Sequence, residues 1–106
     1  ERSIQKKMHF DKKEREQLIP YVSLVNQFLQ FVKENYGKHF TRELMEVAQN
    51  LEDNINQVRD ELRKRARKRL KGGANVKTEL LFIDMVRKME KLGDRAYSIS
   101  QAMIEI

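Results

Sequence analysis

Cysteine is absent from all 106 residues. That excludes a disulfide framework and thiolate metal or redox chemistry, and it fits a reducing compartment. No apolar run approaches the roughly 20 residues a membrane span needs, and no signal-peptide pattern is visible. No glycine-rich phosphate loop occurs. The two histidines, His9 and His39, have no nucleophile or carboxylate at a spacing that would build a triad. Both read as isolated surface side chains, and the chain reads as non-enzymatic. It starts at Glu1, not Met, which suggests a processed protein or a fragment. With 36% charged and 40% hydrophobic residues it suits one soluble domain. Such a domain can bury roughly 60–70% of its unfolded surface.

One proline and four glycines leave little punctuation. Gly37 and the Gly72-Gly73 pair divide the chain into three long segments. In the first, Leu18, Val22, Val25, Leu29, Val32 and Tyr36 recur at helical spacing, and Tyr21, Leu24, Phe28 and Phe31 widen that face. Pro20 removes the backbone bond to Glu16, so a kink or restart is expected near residue 20 of a helix over about 4–36. The second helix opens after a Thr41 cap and spans 41–71, with Leu44, Ala48, Leu51, Ile55, Val58 and Leu62 on one face. The glycine pair ends it by tolerating a left-handed cap. The third spans 76–106 and carries Phe82, Met85, Met89, Leu92, Ala96, Ile99 and Met103. Connections this short force antiparallel neighbours, so the expected fold is all-α, an elongated up-down-up three-helix bundle.

The formal charge of +6 is local. Seven of the nine residues from Arg63 to Lys71 are basic: Arg63, Lys64, Arg65, Arg67, Lys68, Arg69 and Lys71. Setting them aside leaves 15 basic against 16 acidic residues, a net charge of −1. On a helical wheel these side chains point almost all the way round, leaving only Ala66 and Leu70 to pack. Such a turn projects beyond the core or snorkels at its margin, its cations complementing the negative end of the helix dipole. In an up-down bundle it returns to the level where helix 1 began, near Lys6, Lys7, Lys12 and Lys13.

Glu90 and Asp94 stand one helical turn apart, so their carboxylates share a face. Paired carboxylates on a bundle helix can grip a hard cation; they can equally be a surface edge paired with Arg87, Lys88 and Lys91. Between them Gly93 falls on the core side, where glycine costs about 1 kcal/mol against alanine. That implies a close helix approach or open space. The stretch Met89-Glu90-Lys91-Leu92-Gly93-Asp94-Arg95-Ala96 resembles the acidic motif of PhoU-like phosphate-uptake regulators, and Leu51 to Leu62 looks like its partner helix. The resemblance covers roughly residues 41–106.

In that family neighbouring helices bind metal ions through such motifs. Carried over, this implicates Glu90 and Asp94, with Glu52 in helix 2; Asn56 stands where a second acid would be, and Asp53 and Asp60 point away. Typical members also have two bundles. The resemblance therefore implies no required cofactor, and one weakly held divalent or ferric ion at most. The family also occurs as the soluble C-terminal domain of bacterial sodium/phosphate cotransporters. That implies a regulatory domain at the cytoplasmic face of the inner membrane. Its partners would be the membrane domain of the parent transporter, other copies of itself, and the anionic membrane surface under residues 63–71, where each Lys or Arg is worth about 1 kcal/mol. The competing reading is a free-standing basic bundle that binds nucleic acid through residues 63–71, against which stand the absence of aromatics there and of a helix-turn-helix, zinc-finger or basic-zipper register. A third is an oligomerising helical scaffold.

Overall fold

A computed structural model describes residues 12–105 as three α-helices with no strand among them: α1 (Lys12–Asn35), α2 (Arg42–Lys71) and α3 (Val76–Met103). The part of the expected first helix before residue 12, with Lys6, Lys7 and His9, lies outside the described residues. α1 runs through Pro20 without a restart. Ion pairs and hydrogen bonds join Arg69 to Glu79, Arg59 to Glu90 and Gln49 to Tyr97, so α2 and α3 are antiparallel. Tyr21 bonds to Val86, and the Phe40 amide to the Met103 carbonyl, so α1 and α3 run the same way. This is the up-down-up order.

Local chemistry sets the helix ends. The Thr41 hydroxyl accepts from the Leu44 amide at 3.2 Å, and the Asn75 side chain accepts from Thr78 at 3.0 Å. Each satisfies one of the donors a helix start leaves open. At the end of α2 the left-handed residue is Gly73, with φ +91°. Its amide donates to Leu70, and the Ala74 amide to Arg69, which closes a Schellman cap.

The core is centred differently from the hydrophobic stripes. In α1, Leu18, Val25 and Val32 are buried as expected, but Tyr21 and Phe28 form the centre, and Tyr36 is 72% exposed. Burying two rings removes more apolar surface than burying Val22 and Leu29, so the helix turns toward them. In α3, Phe82, Val86, Gly93, Ala96, Ser100 and Met103 face inward, whereas Ile99 is exposed. Small residues at the seam let α2 approach. A Cβ on Gly93 would lie 3.5 Å from Ile55 Cγ2, an ordinary contact distance.

Candidate functional site

Two features from the sequence meet on the α2–α3 seam. Glu90, on α3, accepts from Arg59 Nη1 and from Arg63 Nη2, each at 2.7 Å. Both arginines come from α2, one turn apart, so their guanidinia converge on the two carboxylate oxygens. Arg59 also reaches Asn56 and Asp60. Arg87 and Lys88, the expected local partners of Glu90, pair instead with Asp84, and their hydrogen bonds hold its carboxyl below the usual range. Beneath the clamp the Tyr21 hydroxyl donates to the Val86 carbonyl at 3.3 Å. Burial, reinforced by the Glu90 charge, pushes its pKa up to about 12.

Glu52 lies on α2 about two turns before Arg59. Its Oε1 is buried with no hydrogen-bond partner and stands 3.9 Å from the Cβ that Gly93 lacks. Burial raises its pKa, and the nearby Asp94 charge raises it further. Asp94 itself is exposed, as are Asp53 and Asp60. The three proposed metal ligands therefore stand in three different states: Glu90 clamped, Glu52 half-buried and shifted toward protonation, Asp94 in solvent. A cation at Glu90 would have to displace two guanidinia while sitting beside their charges. Among the described residues no group of three or more His, Asp or Glu is placed to hold a metal ion. In this arrangement the Glu90 carboxylate is taken up by Arg59 and Arg63.

The basic run divides into two populations. Arg69 turns inward: its Nε lies 2.9 Å from Glu79 and 3.5 Å from Glu14, its Nη1 donates to Gln17 at 2.8 Å, and its guanidinium stacks 4.6 Å over the Phe82 ring. Both carboxylates are almost wholly buried, and buried carboxylates require such a partner. Arg63 is taken up by Glu90. The expectation that only Ala66 and Leu70 pack in this turn is thereby corrected, since two of the seven cations hold the helices together. The other five are exposed. Lys64, Arg67, Lys68 and Lys71 subtend about 100° of α2 and extend about 10 Å along it, a single stripe facing away from the core. Arg65 flanks it, 3.6 Å from Glu61. His39, the one described histidine, is exposed.

Read from the sequence, Arg59 and Glu79 have no role and Glu14 serves only as a cap beside Asp11, whereas all three hold buried or half-buried ion pairs. The signal for the two acids was present: Glu14 leads the stripe Leu18, Tyr21 and Val25, and Glu79 leads Phe82 and Val86, both at helical spacing. An acid on an apolar face demands a cation opposite it. No helix among the described residues is long and apolar enough to cross a membrane. No protein-family model matches the sequence, and no curated protein or solved structure matches it either.

Proposed function

We propose that this three-helix bundle is a non-enzymatic regulatory domain of a sodium-dependent phosphate transporter, held at the cytoplasmic membrane face and acting by contact with the transporter. The motif around Gly93 suggests the family. The observation that carries the membrane-facing part is the stripe Lys64, Arg67, Lys68 and Lys71, free of ion pairs among the described residues and confined to one end of the bundle. α1 begins at that same end, because Arg69 of α2 touches Glu14 and Gln17 in the first turns of α1. Four cations on one face are attracted to an anionic leaflet by several kcal/mol together. The clamped seam supports a rigid body that transmits contact.

The reading has a direct test in the parent gene product. Its coding sequence should place hydrophobic spans ahead of this domain. Reversing the four stripe charges should alter sodium-driven phosphate uptake into membrane vesicles while leaving the domain folded. Unchanged uptake, or a parent without spans, would refute it.

A further inference from the structure

The stripe ends beside the first turn of α3, which carries an apolar pair that the fold leaves uncovered. Val76 is 59% exposed and Leu80 56% exposed. Four residues apart, they lie on one face of α3. The Arg69–Glu79 ion pair pins the antiparallel register at this point, so Lys68 and Lys71 stand level with that turn, where Lys77 is also exposed. The arrangement is an exposed aliphatic pair beside exposed cations, at the tip of a rigid bundle. It has the composition of interfacial membrane anchors, in which cations bind headgroups while neighbouring apolar side chains enter the acyl boundary.

We infer that this tip is an interfacial wedge: Lys64, Arg67, Lys68 and Lys71 bind anionic lipid headgroups, and Val76 and Leu80 insert between them. The inference rests on the membrane-facing reading above and deepens it by naming the inserting residues. Charge complementarity selects the occupant. Two copies of this end would repel one another. A nucleic acid would satisfy the cations but leave the aliphatic pair in water, and residues 63–80 contain no aromatic on which bases could stack. An anionic bilayer satisfies both.

The chain has no tryptophan, so one introduced residue reports its own surroundings. Leu80→Trp should shift its emission to the blue and be quenched by brominated acyl chains on phosphatidylcholine vesicles containing phosphatidylglycerol, but not on phosphatidylcholine alone. Tyr36→Trp, at the opposite end, should remain solvent-like throughout. Val76→Ser/Leu80→Ser should weaken binding to the anionic vesicles by on the order of tenfold, with an unchanged far-ultraviolet circular dichroism spectrum. Val76→Trp serves as a second probe should Leu80→Trp misfold. Solvent-like emission from both probes on vesicles that do bind the chain would overturn the wedge while leaving electrostatic docking intact. No association with anionic vesicles, or tighter binding to duplex or single-stranded nucleic acid, would overturn the wedge and the membrane-facing reading together.

Discussion

Arg69 and Lys68 are neighbours in a run of cations, yet their substitution should have very different consequences. Arg69 is 81% buried by its side chain, which is 19% exposed, and it is the counter-charge to Glu79, whose side chain is 2% exposed. Arg69→Met keeps the apolar stem but leaves Glu79 uncompensated in the interior. Removing one partner of a buried pair costs about 3–5 kcal/mol. Loss of the guanidinium stacked over Phe82 adds about 1 kcal/mol. Lys68→Ala, on an exposed side chain, should stay within about 0.5 kcal/mol of the parent. Urea unfolding followed by circular dichroism at the helix band reads both. With a slope of about 2 kcal/mol per molar urea, Arg69→Met lowers the midpoint by about 2–3 M and Lys68→Ala barely moves it. Arg69→Met/Glu79→Leu should recover only part of the loss, because it removes one of the two buried carboxylates that Arg69 faces and leaves Glu14 without that guanidinium. Equal midpoints for Arg69→Met and Lys68→Ala, or a double variant no better than the single, would refute the division of the basic run.

Three further outcomes follow from the seam. Gly93→Ala should stabilise the fold by about 0.5–1 kcal/mol and raise the melting temperature by roughly 4 °C, since the new methyl meets Ile55 at an ordinary distance and the helix loses a flexible residue; a fall in melting temperature would show that the helices are closer. Glu52→Gln should be more stable than the parent at pH 7. Because burial and Asp94 raise the folded pKa of Glu52, its destabilising charge develops as pH rises from about 4.5, where an unfolded glutamate titrates, through the folded pKa. The advantage of the glutamine should therefore vanish in denaturation at pH 4, and an advantage independent of pH would count against it. Tyr21 should ionise near pH 12 by ultraviolet titration, well after an unperturbed tyrosine near pH 10, and stability should fall as pH rises between those values because only the unfolded chain loses that proton; a Tyr21→Phe variant that retains the late-titrating step would assign it elsewhere.

Helix positions were legible because they depend on local chemistry. Thr41, Gly37 and the Gly72-Gly73 pair act within a turn of their own position, and the apolar spacing shows where each helix runs. The rotation of each helix was less legible, since Tyr21 and Phe28 compete with Val22 and Leu29 for the interior on packing grounds that involve all three helices. The fate of the charged groups was least legible. A wheel of α2 cannot distinguish Arg69 from Lys68; what distinguishes them is that Glu14 and Glu79 arrive on the other two helices. In the same way the sequence leaves Glu90 open between a metal ligand and a surface carboxylate paired with Arg87, Lys88 and Lys91, and cannot show Arg59 and Arg63 converging on it. At Gly93 the sequence leaves close approach and open space as alternatives; a side chain there would meet Ile55 at an ordinary contact distance.

The central claim is that the outward stripe at one end of the bundle faces an anionic bilayer. Co-sedimentation with phosphatidylcholine vesicles, with and without phosphatidylglycerol, over a salt series tests it most directly, comparing the parent chain with Lys64→Glu/Arg67→Glu/Lys68→Glu/Lys71→Glu. The account predicts salt-sensitive binding of the parent to anionic vesicles alone, weakened about fivefold or more for each charge removed and abolished in the quadruple variant. Equal binding by parent and variant, or no binding by the parent at low salt, would contradict it.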